Sequence, residues 1–187
     1  MNEVKKDRRV KYTITVLKEA LVKSMKEEHI SKISVKSICE LADINRSTFY
    51  AHFDDQYALL HFIENEVLDN IKLYLDKQDF DDKRPISIQV LHRILEYVRQ
   101  NAELFKALLS DNCEPGIQRE IMDLSKVVSF QVNNKYDMRV QEYLAVYGTT
   151  GCISLLHKWL QDGMIESTTE LAEYIMKMLY SGISGFE

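Results

Sequence analysis

The chain has 187 residues, 45% of them hydrophobic, with only two prolines and six glycines. That is enough apolar material for one large or two small domains, and the scarcity of helix breakers and β-branched runs points to an all-α protein. The net charge of −5 argues at first against a nucleic-acid partner. No apolar run approaches the roughly 18–20 residues a membrane span needs, and no signal-peptide pattern opens the chain, so no membrane partner and a cytoplasmic home are expected.

The charge is unevenly placed. Residues 1–53 carry 11 Lys+Arg against 7 Asp+Glu, and residues 54–187 carry 13 against 22. Positive potential is thus concentrated at the start, where phosphate contact would need it. Lys5, Lys6, Arg8, Arg9 and Lys11 form a basic opening that suits a DNA backbone or minor groove, or else a solvated tail. The cysteines, Cys39, Cys113 and Cys152, lie far apart without C-x-x-C spacing. Cys39 and Cys152 read as small buried hydrophobes, and Cys113 sits in a polar loop as a bystander thiol or a redox sensor.

In chain order, the first helix is predicted from Asp7 to Glu28, where Val10, Ile14, Leu17, Leu21 and Met25 form an apolar stripe. Ser34 can cap a short helix whose Val35, Ile38, Cys39, Leu41 and Ala42 share one face. Asp43-Ile44-Asn45 interrupts it, and Asn45 can cap a second short helix, Arg46 to His52. Ile44, Phe49 and Phe53 would pack inward, leaving Arg46, Ser47, Thr48, Tyr50 and His52 outward. Two short helices joined by a tight turn suit a helix-turn-helix. Arg46 can donate twice to guanine O6 and N7. Asn45, Ser47 and Thr48 offer short donors and acceptors, Tyr50 and His52 can donate to phosphate, and Lys36 can touch base or backbone. The bland alternative is the surface of two small core helices.

The residues Ile33 to Ala42, Ser47-Thr48-Phe49-Tyr50-Ala51-His52-Phe53 and Leu59-Leu60 resemble the DNA-binding domain of TetR/AcrR-type transcriptional regulators. The resemblance implies that Tyr50 and His52 contact phosphate and that Lys36, Asn45, Arg46 and Ser47 face bases or nearby backbone; Ser34, Ser37 and Thr48 are expected to add phosphate contacts. The chain departs from the family twice. Asp43 stands where the family has glycine, a place an aspartate tolerates in left-handed backbone. Gln56 stands where the family tends to have a phosphate-contacting lysine.

A helix from Asp54 to about residue 77 would span about 35 Å at ~1.5 Å per residue and link a head to a body. The polar run Asp76 to Arg84 is the expected seam, followed by Pro85 in the first turn of a new helix. Body helices are predicted at about 86–100, 102–111, 115–133, 138–162 and 168–183, some nine helices in all with the head. Gly163 would end the fourth of these, and Ser167-Thr168-Thr169-Glu170 forms a capping box for the last. The expected division is a DNA-binding domain over 1–53, a linking helix over 54–77, and an effector-binding and dimerisation domain over 54–187.

Within 138–162, Ala145, Gly148, Thr149 and Cys152 make a ridge of small residues, with Gly151 beside it. Leu155, Leu156 and Trp159 extend an almost all-round apolar surface, and the last helix offers Leu171, Ile175 and Met178. A helix apolar on every side is buried on two, so a symmetric four-helix homodimer interface is expected. A monomer with both faces internal is the alternative. The stretch Gly151 to Ile175 also resembles a C-terminal region of one branch of TetR-type regulators, which implies that the last two helices form the dimer. The resemblance further implies a ligand pocket in the middle of the chain, for which Leu91, Leu95, Phe105, Leu108, Leu109, Val127, Val128, Phe130 and Tyr147 are candidates, although each could be simple core packing.

Catalysis finds no motif: no H-E-x-x-H, G-x-S-x-G, P-loop or glycine fingerprint. His61 and Glu64 are three apart on one helix, a weak metal pair. The chain is therefore expected to be no enzyme, to need no cofactor or metal, and to bind a double-stranded DNA operator as a homodimer, with an unknown small-molecule or protein effector. The rival is a helical dimeric interaction module, or a partner-controlled activator without a ligand, for which Asp43 and Gln56 are the best arguments.

Overall fold

The computed structural model describes residues 2–76, 87–114, 116, 119–120 and 137–182, with only the backbone of 2–7 and 76. These residues form eight α-helices and one 3-10 turn, with no strand among them. Most of the helix expected over 115–133, most of the seam, and the candidates Val127, Val128 and Phe130 lie outside the described residues. The chain divides into two compact units, one of residues 1–67 with 110–114, the other of 68–109 with 115–187.

In the first unit, α1 (Asn2–Met25) starts five residues before the expected Asp7, so the basic opening is helical rather than a tail. Its buried stripe is Leu17, Ala20, Leu21 and Met25, as the periodicity predicts, with Val10 and Ile14 half-buried. A 3-10 turn (Ile30–Lys32) leads into α2 (Val35–Ala42), α3 (Arg46–Tyr50) and the start of α4 (Gln56–Asp76). Asp55, not Asp54, opens α4: its Oδ1 accepts from the Ala58 amide at 2.8 Å, which satisfies one of the orphan donors of the first turn. Lys18 Nζ of α1 meets Glu66 Oε2 of α4 at 2.6 Å.

The second unit holds α5 (Ile88–Gln100), α6 (Ala102–Leu108), α7 (Met138–Gln161) and α8 (Thr168–Ser181). Leu75 and Val90 are buried together, with Ile71, Ile94 and Met176 packed around them. The capping box forms as predicted: the Glu170 amide donates to Ser167 Oγ at 3.2 Å and the Ser167 amide to Glu170 Oε2 at 2.8 Å. Thr168, the next residue, is buried and donates to Glu96 of α5, whose other oxygen accepts from Arg99 at 2.8 Å. Trp159 donates its indole N–H to the Glu166 carbonyl at 2.9 Å, closing the α7–α8 connection, where Gly163 and Met164 take positive φ.

Candidate nucleic-acid interface

The entrance of α2 is built from two serines. The Ser37 amide donates to Ser34 Oγ at 3.1 Å, the Ser34 amide donates to Ser37 Oγ at 3.2 Å, and Ser37 Oγ donates to the Ser34 carbonyl at 2.8 Å. With Ser34 Oγ donating to Ser37 Oγ at 3.2 Å, both hydroxyl protons are engaged within the cap. A phosphate arriving here meets hydroxyl groups already committed to their own backbone. Lys36 is exposed, 3.8 Å from Glu40 Oε1, a pair weak enough to open for another partner.

The turn works as the local chemistry suggests. Asp43 adopts φ 53 and ψ 45, the left-handed conformation that ends α2, and Ile44 donates to the Cys39 carbonyl at 3.0 Å. Burial raises the Cys39 thiol above its ordinary range, against the nearby positive charge of Arg46.

Helix α3 is short and firmly seated. Asn45 Oδ1 accepts from both the amide and the hydroxyl of Ser47, each at 3.0 Å. Phe49 is fully buried and Phe53 nearly so, their rings 5.8 Å apart, and Phe53 meets Phe62 at 5.5 Å. Tyr50 stands edge-on to Phe49 at 5.7 Å while remaining 56% exposed. Arg46, Ser47 and His52 are exposed, and Thr48 is half-buried. Arg46 makes no ion pair among the described residues. The helix ends at Tyr50, two residues short of the expected His52, so it presents one guanidinium and one phenol above a buried aromatic base, and the His52 imidazole stands in the turn that follows. Asn45 caps the helix as its position predicts, so its acceptor is occupied although the residue is exposed. Gln56 is the half-buried first residue of α4.

The other candidates fall differently from a simple interface or pocket. Gly148, Thr149, Trp159, Leu171 and Ile175 are buried within the single chain, Ala145, Cys152, Leu155 and Leu156 are half-buried, and Met178 is 42% exposed. Between α7 and α8 runs an apolar groove of about 400 Å³ lined by Tyr147, Gly148, Gly151, Cys152, Leu155, Ile175, Met178, Leu179 and Gly182. The groove gathers Gly148, Cys152, Leu155, Ile175 and Met178 from the expected dimer set. Of the expected pocket set, Leu95, Phe105, Leu108 and Leu109 are buried and Leu91 is half-buried. Tyr147 is 78% exposed and is not part of that buried set.

Cys113 was expected in a polar loop, yet it is buried, and its thiol is pushed up to about 12 by that burial, with the Glu64 carboxylate adding to it. Such a thiol is poorly suited to redox sensing. His61 Nδ1 lies 2.9 Å from Glu64 Oε2, a local pair, and no group of three His, Cys, Asp or Glu side chains among the described residues could hold a metal. No helix of the described residues is long and apolar enough to cross a membrane.

A family model described as the C-terminal region of transcriptional regulators of TetR type matches residues 87–181, half of the chain, and the chain belongs to that family. The uncharacterised HTH-type transcriptional regulator YxbF of Bacillus subtilis (strain 168) is 25% identical over 101 residues, covering 50% of this chain and 26% of that protein. The chain therefore matches about a quarter of its curated relative's length. Two solved structures share the fold over nearly their whole length. A TetR transcriptional regulator from Streptococcus agalactiae 2603V has a TM-score of 0.66 at 23% identity, covering 95% of this chain and 98% of that one. The fatty acid degradation regulator FadR from Bacillus halodurans has a TM-score of 0.67 at 11% identity, covering 91% and 96%. The family is one of regulators rather than enzymes, and its all-helical architecture is the one seen here.

Proposed function

We propose that this protein is a cytoplasmic, DNA-binding transcriptional repressor that acts as a homodimer on a roughly palindromic operator. The observation that carries the reading is α3: Phe49 is fully buried beneath it, while Arg46, Ser47 and Tyr50 are exposed. A fixed base with a solvent-facing guanidinium and phenol suits a helix seated in the major groove. Arg46 reads a base edge, with Lys36 beside it; Tyr50 and His52 hold phosphate. Asn45 and Ser47, with Ser34, Ser37 and Thr48, shape and line that surface. In this reading residues 1–53 form the DNA-reading domain, the helix over 54–77 is the link, and the remainder binds an effector and the second copy, the latter through α7 and α8.

The test is fluorescence anisotropy of the full chain on duplexes selected from random DNA, at two salt concentrations, beside Arg46→Ala and Tyr50→Ala. One duplex bound far more tightly than the rest, weakening as salt rises and lost in both variants, is the expected result. Variants that bind as the wild type does would overturn the reading and favour the interaction module.

A further inference from the structure

The first unit contains a piece of chain that arrives from elsewhere. Residues 110–114 belong to it, although the remainder of that unit ends at Val67. This piece follows α6 directly, since Leu109 is the residue that closes that helix. It folds on itself: the Asn112 amide donates to Ser110 Oγ at 3.2 Å and the Cys113 amide to the Ser110 carbonyl at 3.1 Å.

Asn112 then makes two bonds to the connection between α1 and α2. Its side-chain Nδ2 donates to the Met25 carbonyl at 2.9 Å, at the last residue of α1. Its carbonyl accepts from the Ile30 amide at 2.9 Å, at the first residue of the 3-10 turn. Both partners are groups that a helix end leaves without an internal partner. Met25 and Ile30 are fully buried, where such groups need a partner most. The 3-10 turn runs straight into Ile33, buried, and Ser34, the cap of α2. One residue therefore sets where α2 starts relative to where α1 stops. Cys113, the next residue, is itself buried.

We infer that Asn112 is a positioning residue for the helix-turn-helix, and that it carries the state of α6 to the DNA-reading helix by withdrawing from or engaging the α1–α2 connection. The inference rests on the regulator reading for its DNA arm. A displacement of α6 moves Leu109, and Ser110 and Asn112 follow through the chain itself. Losing the two bonds frees the turn that places α2, and α3 is carried by α2. By linkage, DNA held by α3 must in turn favour the engaged form and quiet the end of α6.

The experiment is residue-resolved hydrogen exchange on the full chain, wild type beside Asn112→Asp and Asn112→Ala. Asp keeps the shape and removes the donor, so it decides the matter if Ala disturbs folding. Without DNA, the Ile30 amide keeps its main-chain partner in Asn112→Asp but is expected to exchange about tenfold faster, because the side-chain bond to Met25 that seats that carbonyl is lost, with α7 and α8 unchanged. With a selected duplex, wild type is expected to slow at 46–50 and also at 107–109. Asn112→Asp should slow at 46–50 alone, a split that a merely structural role would not produce. Unchanged Ile30 exchange in Asn112→Asp, or a wild-type duplex response confined to 46–50, would overturn the inference. If no duplex is ever selected, the regulator reading falls, and the Ile30 comparison still decides whether Asn112 holds the connection.

Discussion

A Cβ placed on Gly148 would lie 3.0 Å from Leu179 Cδ2, whereas one placed on Gly151, a turn along the same helix, meets nothing within 4 Å. Gly148 serves the packing of α7 on α8 inside one chain. Gly151 opens onto the groove and has no neighbour there to require it. Gly151→Ala is expected to stabilise the chain by up to about 1 kcal/mol through helix propensity alone. Gly148→Ala should gain less, because the tip of Leu179 must shift. Gly151→Leu is expected to leave the fold intact while blocking self-association. Sedimentation velocity beside thermal melting separates the two effects, and a Gly151→Leu variant that still dimerises would remove this face from the dimer.

The left-handed Asp43 carries a cost that glycine would not. Asp43→Gly is expected to change stability by less than about 1 kcal/mol, since relief of the strained backbone is offset by a freer unfolded chain. Asp43→Val, β-branched at φ 53, should lose at least about 1 kcal/mol. Urea unfolding of the full chain measures both; equal midpoints for Gly and Val would contradict the strain.

Tyr50 and Arg46 are expected to fail in different ways on the selected duplex. Tyr50→Phe should weaken binding by about 1 kcal/mol whatever the sequence, the loss of one hydrogen bond to phosphate. Arg46→Lys should relax the preference at one base pair of each half-site, at about 1–3 kcal/mol. A panel of single-base operator variants reads this directly; parallel losses across the panel for both substitutions would reassign Arg46 to the backbone.

Ser167 hydrogen bonds, the hydroxyl foremost and then the amide, hold the Glu170 carboxyl below its ordinary value of 4.5. A carboxyl depressed in the folded chain contributes stability that is whole above its unfolded value and is lost as pH falls through the folded one. Glu96, lowered chiefly by the Thr168 hydroxyl, acts in the same direction. Acidification below about pH 4.5 should therefore loosen the start of α8. Glu170→Gln keeps an acceptor for the cap and should flatten that acid dependence; a melting temperature falling as steeply as in wild type would show that the cap does not titrate.

What the sequence disclosed was local. The caps at Ser34, Asn45 and Ser167 join residues two or three apart, and such bonds follow from residue type and spacing. The burial of Phe49 and Phe53 follows from the same short rhythm. The left-handed turn at Asp43 was legible because few other residues tolerate it. Asn112 was not legible. Its partner Met25 lies 87 positions away, and an amide within a polar loop carries no periodic signal. The same loop hid the burial of Cys113. Helical spacing assigned Tyr147 a face without saying what covers it, and the side chain lines the groove between α7 and α8 instead of joining the buried set. Ser37 was recognisable as polar and outward, but not as the reciprocal partner that closes the Ser34 cap.

Because residues 110–114 complete the first unit, its completion has a schedule as well as a shape. Chains are made from the N-terminus at about 5–20 residues per second, so α1 to α4 wait roughly 2–10 s for the strap that satisfies Met25 and Ile30. Newly made chains pass that interval with the α1–α2 connection unfastened. A nascent head is therefore unready for DNA until the ribosome has moved well into the second unit, and a fragment ending at Val67 would stay in that unfinished condition.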